Sequence, residues 1–268
     1  MAVERMHWAD MPAAARETVE GCTGSIYSAT TMSEGKNSAI AAVLDAERGR
    51  LFVKGLRRDY ARRWTQEMEA TVAPFVEEIS PRCLLRHVSD DWDLLVFDVV
   101  EGRHASYAPD SPDLPLLIET MKKLGSIPAP DLPIKRAEQR WKPYVVEPEH
   151  AQLLAGQALL HTDYVPDNVI ISTGRAVLID WAWPTRGAGW VDPACLVLRL
   201  MASGHSAAQA EELVTPLPAW STASRAALAA FAVASVNLWT EIAGQDQSSW
   251  TKAMELAARE WAAYQAAG

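Results

Sequence analysis

From Gly24 to Val100 the apolar positions follow a strand-like period; from Leu114 onward they follow a helical one. Residues 1–21 mix Ala, Arg, Glu and two aromatics, and Asp10 with Pro12 mark a helix start, predicting a helix that packs on the N-terminal sheet. Gly24–Ala29 and Ala39–Leu44 read as strands flanking the polar loop Ser33–Ser38, and Arg50–Lys54 alternates as a third strand. Ala61–Val76 is rich in helix formers and sets Glu69 beside the apolar Val72 and Val76, although Pro74 leaves the register open. Cys83–His87 and Asp93–Val100, separated by a turn at Ser89–Asp91, complete a five-stranded antiparallel sheet.

After the Pro- and Asp-rich link Ala108–Pro115, helices are expected over Leu114–Gly125 and Glu147–Leu159. A hairpin follows, Asn168–Ser172 and Arg175–Ile179, turning at Thr173–Gly174. Helices are then expected over Pro193–Ser203, from a Ser206 cap to Val214, from Ser221 onward, and over Ser249–Ala266. In the third of these, Leu228, Phe231, Ala232, Val236, Trp239 and Ile242 share a face and read as core. The fold class is therefore α+β with two lobes, 1–101 and 102–268.

Composition narrows the partners. The chain has 268 residues, 49% of them apolar and 22% charged, enough for a folded protein with a sizeable core. A net charge of −9 disfavours nucleic acid and anionic membrane as partners. Cys22, Cys83 and Cys195 are isolated, without the spacing of a zinc site or a disulfide framework, and are expected as buried free thiols. The N-terminus lacks a basic segment followed by an apolar run, and no stretch of about 18 apolar residues occurs, so a cytoplasmic protein is expected. Nothing in the sequence specifies an oligomeric state.

The chemistry concentrates in His161-Thr162-Asp163-Tyr164-Val165-Pro166-Asp167-Asn168 and the strand that ends at Asp180. Moving a γ-phosphoryl group to a hydroxyl needs a carboxylate to orient the nucleophile and take its proton, plus oxygen ligands for magnesium. Asp163 supplies the first, and Asn168 and Asp180 the second; the intervening hairpin returns the chain to the loop.

His-x-Asp-x-x-x-x-Asn followed by Ile179-Asp180-Trp181 resembles the catalytic and metal loops of the aminoglycoside phosphotransferase and choline kinase-like family, small-molecule relatives of the protein kinases. Thr162 stands where protein kinases carry Arg, and Trp181 where they carry Phe. Gly189-Trp190-Val191-Asp192-Pro193-Ala194, opening an apolar helix, extends the match. The resemblance implies a protein-kinase-like fold and a nucleotide substrate, ATP with GTP not excluded, used with Mg2+. It makes Lys54 the lysine on the α- and β-phosphates, with Glu69, or alternatively Glu67, as its ion-pair partner. Backbone around Ser33–Ser38, including Gly35, and the Ser38 hydroxyl would contact phosphate, although only one of the usual three glycines is present. Phe97–Gly102, with Asp98 and Val100, would be the hinge that bonds adenine, Gly102 letting the chain change direction. His161 and Asp192 would brace the catalytic loop.

The acceptor is not specified by these motifs. Trp183 and Arg186, just beyond Asp180, are the candidate substrate contacts, and the tryptophans of the C-terminal half read either as core or as a cage for an amine or a sugar. A small-molecule hydroxyl, as on an aminoglycoside or other antibiotic, is the leading acceptor class. A peptide, choline or sugar hydroxyl remains an alternative, as does a non-catalytic nucleotide-binding protein, although Lys54, Asp163, Asn168 and Asp180 form a complete set. A metal-dependent hydrolase would leave Lys54 without a role.

Overall fold

The computed structural model describes residues 5–32, 38–89 and 91–267. The chain forms two compact units, one of residues 1–101 with Asp180–Ala182, the other of Gly102–Ile179 with Trp183–Gly268.

The first unit begins with helix α1 (Ala13–Thr23) and continues with strands β1 (Ile26–Thr31), β2 (Ile40–Ala46) and β3 (Gly49–Arg57). Helix α2 (Trp64–Val72), β4 (Cys83–Val88) and β5 (Trp92–Asp98) follow. The strands make an antiparallel sheet in the order β1-β2-β3-β5-β4. Period-two alternation gives the sheet two distinct faces. Ile40, Ala42, Leu44, Leu51, Val53, Trp92, Leu94 and Val96 join Trp8, Met11, Ala15 and Val19 in one core, so the N-terminal helix packs on the sheet. Lys54 lies on the opposite face, where α2 meets β5. The α-helix expected over Ala61–Val76 is shorter: Ala73–Phe75 continues it only as a 3-10 turn, because Pro74 offers no N–H to an α-helical bond.

In the second unit β6 (Arg103–His104) and helix α3 (Asp113–Gly125) precede β7 (Lys135–Arg136), α4 (Ala137–Arg140) and β8 (Ala158–Leu160). Strands β9 (Val169–Ser172), β10 (Arg175–Leu178) and β11 (Thr185–Gly187) follow, then helices α5 (Val191–Ala202), α6 (Ala207–Val214), α7 (Arg225–Gln245) and α8 (Ser249–Ala267). Two three-stranded sheets result, β10-β9-β6 and β7-β11-β8. Helix α8 packs on α5 and α7, and Phe231 touches the rings of Trp141, Trp190 and Trp261 in an aromatic core.

Several expectations are corrected. Glu147–Leu159 is not a helix: Pro148–Leu154 forms 3-10 turns, and Ala158–Leu160 leaves helical geometry to pair with β11. Gly156 lies so close to the Gly187 carbonyl that a Cβ would fall 2.4 Å from it. The helix expected from Ser221 starts at Arg225, because Ser224 is the residue whose hydroxyl accepts the Ala227 N–H, at 3.1 Å. On α7 Phe231, Ala232 and Trp239 are buried, but Leu228, Val236 and Ile242 are only half-buried. By length and composition α7 is long and apolar enough to cross a membrane, the one such helix among the described residues. Of the three free cysteines only Cys195 is buried; Cys22 and Cys83 are half-buried. Gly102 is required by packing rather than by a change of direction, since a Cβ there would lie 2.3 Å from the Ile171 carbonyl oxygen.

Candidate active site

The first unit holds a charge triad in which Lys54 and Glu69 are buried and Asp180 is half-buried. Lys54 Nζ lies 2.6 Å from Glu69 Oε2 and 2.9 Å from Asp180 Oδ1. Burial opposes the lysine's charge, but the Asp180 and Glu69 carboxylates outweigh it and hold the Lys54 pKa above its ordinary value. Glu67 is exposed and lies 4.0 Å from Arg86, so it is Glu69 that pairs with Lys54. Asp180 adopts a left-handed backbone, φ 64°, which Asp tolerates better than most residues. The next residue, Trp181, is anchored by its indole N–H on Ser80 Oγ at 2.7 Å.

In the second unit the segment from β8 to β10 is built locally. Thr173 and Gly174, at φ 32° and 76°, make the two-residue turn that pairs Ser172 with Arg175 and Val169 with Leu178. Ile179 N–H then donates to the Asn168 carbonyl at 3.0 Å, and Asp180 is the next residue in the chain. Asn168 closes a 3-10 turn, Pro166–Asn168, and its Nδ2 donates to the Asp163 carbonyl at 3.2 Å and to Asp163 Oδ2 at 3.1 Å.

Asp192, in the first turn of α5, is wholly buried and accepts three hydrogen bonds from this loop. They come from His161 N–H at 2.9 Å, Thr162 N–H at 2.9 Å and the Tyr164 hydroxyl at 2.8 Å. Burial pushes its pKa up, and the bonds from the loop act in the opposite direction. Thr162 lies at φ 67°, an unfavourable conformation for a β-branched residue that the two bonds from His161 and Thr162 help to hold. The His161 ring accepts the Asp163 N–H at Nδ1, 3.3 Å, and donates from Nε2 to the Ile179 carbonyl, 3.0 Å, which fixes its tautomer. The ring ties the start of the loop to the end of β10.

The remaining sequence candidates are more dispersed. Trp183 carries Lys135 and Arg140 against its ring, 4.8 and 5.4 Å from the centroid, and Arg186 Nη2 donates to the Pro130 carbonyl at 2.6 Å. Ser38 is half-buried just before β2. Asp98 ends β5 with its carboxylate 3.2 Å from Arg82, and half-buried Val100 lies two residues on. Gly35 lies outside the described residues.

Two arginines escaped the sequence reading. Arg199 Nη2 donates to Asp163 Oδ1 at 3.0 Å, and Arg140 Nη1 donates to Thr162 Oγ1 at 2.8 Å. A lone arginine inside the apolar run Cys195–Met201 was the available signal for the first. Among the described residues no group of three or more His, Cys, Asp or Glu is placed to hold a metal by itself.

No protein-family model and no curated protein matches the chain. Solved structures match its fold along nearly the whole length. A choline kinase, LicA, from Streptococcus pneumoniae is 14% identical with a TM-score of 0.63, over 94% of this chain and 98% of that one. An aminoglycoside phosphotransferase from Alicyclobacillus acidocaldarius is 15% identical with a TM-score of 0.64, over 96% of each chain. A thermostable mutant of the aminoglycoside phosphotransferase APH(4)-Ia, in ternary complex with AMP-PNP and hygromycin B, is 14% identical with a TM-score of 0.54, over 92% of this chain and 99% of that one. The chain thus has the protein-kinase-like fold of small-molecule kinases.

Proposed function

We propose that this protein is a phosphotransferase that moves the γ-phosphoryl group of ATP to a hydroxyl of a small molecule. The observation that carries the reading is the buried lysine, Lys54, held charged by Glu69 and Asp180 at 2.6 and 2.9 Å. A fixed buried ammonium with one carboxylate partner partly open to solvent suits the binding of phosphate oxygens. The nucleotide complexes known for proteins of this fold support the same choice of substrate.

In this reading residues 1–101 form the nucleotide lobe and residues 102–268 the acceptor lobe. Lys54 bonds the α- and β-phosphates, with Ser38 on the phosphate side, and backbone groups around Asp98 and Val100 receive the adenine. Asp163 orients the acceptor hydroxyl and takes its proton as the oxygen attacks the γ-phosphorus; the bond from that phosphorus to the β,γ-bridging oxygen breaks, and ADP leaves. Asn168 and Asp180 would hold Mg2+. Their hard oxygens suit that ion, and their small number fits a metal that completes its shell with phosphate and water. Held there, the ion would supply positive charge to offset that of the phosphates. His161 and Asp192 hold Asp163 in place without touching substrate. Most of the rate enhancement then comes from positioning and charge neutralisation.

Titration of MgATP into wild type and Lys54→Met, followed by an ATP-consumption screen over aminoglycosides, other antibiotics, amines, sugars and hydroxyl-bearing peptides, tests this reading. Binding by wild type, at least about tenfold weaker in the variant, is expected. Absence of nucleotide binding by wild type contradicts it.

A further inference from the structure

Arg199 stands in an apolar stretch of α5, between buried Leu198 and Leu200, and its side chain is only 9% exposed. Burial works against its charge and lowers its pKa from the ordinary arginine value, while the Asp163 carboxylate acts in the opposite direction. Its Nη2 donates to Asp163 Oδ1 at 3.0 Å, whereas Nη1 is buried without a hydrogen-bond partner among the described residues. Stability does not account for such a residue. An apolar side chain here would pack on the rings of Trp239 and Trp250 without desolvating a charge or stranding a donor, and apolar replacements of buried ion pairs are often neutral or stabilising.

The arginine supplies a fixed donor instead. Its guanidinium carbon lies 5.1 and 4.9 Å from the ring centroids of Trp239 and Trp250, on α7 and α8, and the two rings meet edge to face at 85°. Contact of the cation with both rings holds the guanidinium in one place. Its ion pair with Asp163 is the only one that this carboxylate makes among the described residues.

The anchors on Asp163 divide by what they hold. His161 and Asp192 act on the loop backbone: the His161 ring accepts the Asp163 N–H, and Asp192 accepts the N–H groups of His161 and Thr162. The carboxylate is held separately, by Arg199 on Oδ1 and by Asn168 Nδ2 on Oδ2 at 3.1 Å. With both oxygens bonded, rotation of the carboxylate is opposed, and of its roughly four lone-pair positions about two stay open to other donors. The Asp163 side chain is 44% exposed, so a hydroxyl can reach them from solvent.

We propose that Arg199, clamped by Trp239 and Trp250, is a positioning residue for Asp163: it sets the rotation of the carboxylate so that the open lone pairs receive the acceptor hydroxyl. This inference rests on the phosphotransferase reading and makes the catalytic loop depend on α7 and α8. Arg199 acts through Asp163 and touches neither nucleotide nor acceptor.

Two measurements on the full chain test it. In 1H–15N NMR spectra the guanidinium hydrogens of Arg199, identified by their loss in Arg199→Lys, should exchange slowly with solvent, shift in Asp163→Asn and exchange faster in Trp250→Leu. 31P NMR then gives the rate of phosphomonoester formation from MgATP and a mixture of aminoglycosides, amines, sugars and hydroxyl-bearing peptides. Arg199→Met should lower the apparent kcat about a hundredfold, as expected for a displaced reacting group, with KM for MgATP within about a factor of two. Arg199→Lys keeps the charge but not the planar fork, and should stand severalfold above Arg199→Met. A merely structural role would move KM for MgATP and the melting temperature along with kcat, and would make the two replacements alike. Wild-type kcat in Arg199→Met, no recovery in Arg199→Lys, or Arg199 hydrogens that do not respond to Asp163→Asn overturn the inference. Should Arg199→Met fail to fold, the spectra and the drop from wild type to Arg199→Lys decide. Wild type that makes no phosphomonoester condemns the phosphotransferase reading and the inference with it, whereas active wild type matched by Arg199→Met condemns only the inference.

Discussion

Lys54 Nζ lies 2.6 Å from Glu69 Oε2, and both side chains are almost wholly buried. Removing one member of such a pair leaves the other charge uncompensated. In Glu69→Gln, Lys54 keeps only Asp180, so the ammonium shifts toward that carboxylate. A fall in kcat/KM for ATP of about a hundredfold is expected from the misplacement. Glu67→Gln, at an exposed position on the same helix, should leave kcat/KM within about a factor of two, the ±0.5 kcal/mol typical of surface substitutions. Equal losses in the two variants would show that the Lys54 pair has no special part in the reaction.

The Tyr164 hydroxyl donates to Asp192 at 2.8 Å, and both groups are buried. Tyr164→Phe withdraws one of three donors from that carboxylate and should cost roughly 1–3 kcal/mol in denaturant unfolding. Asp192→Ala removes the acceptor for His161, Thr162 and Tyr164 together and should cost more. If Asp192→Ala unfolds at the same denaturant concentration as wild type, the carboxylate does not hold the loop.

Burial, aided by the Glu69 charge, pushes the Cys83 thiol up to about 11, and burial also raises Cys195. At pH 8 such a Cys83 is thiolate in roughly one molecule in a thousand, and the thiolate is the reactive form. Iodoacetamide at pH 8 should therefore leave Cys83 and Cys195 unmodified in native protein over a period that fully alkylates the unfolded chain. Peptide mass mapping reads the outcome. Native Cys83 reacting at the rate of a free thiol would mean that its surroundings are more open than the structure has them.

How far the sequence could be read depends on whether contacts are local. The β9–β10 hairpin was legible because Thr173–Gly174 is a turn between two apolar runs, and the start of α6 because Ser206 is a capping residue directly before it. The helix register that separates Glu69 from Glu67 was open, since both carboxylates lie near the apolar face and only packing against β5 selects one. Strand β8 was hidden because its partner β11 comes some 25 residues later, beyond any local pattern. Arg199 and Asp163 are 36 residues apart, and the tryptophans that flank Arg199 come from two further helices, so that cluster exists only in the folded chain.

The central claim is that Asp163 orients a hydroxyl for attack on the γ-phosphorus. The most direct measurement is 31P NMR of MgATP incubated with a pool of small hydroxy compounds, hydroxy acids among them, and either wild type or Asp163→Asn. Wild type should convert the γ-phosphate into a phosphomonoester resonance with one equivalent of ADP, and Asp163→Asn should do so at least about a hundredfold more slowly. Ester formation at the same rate in both proteins, or inorganic phosphate as the sole new resonance, would contradict it.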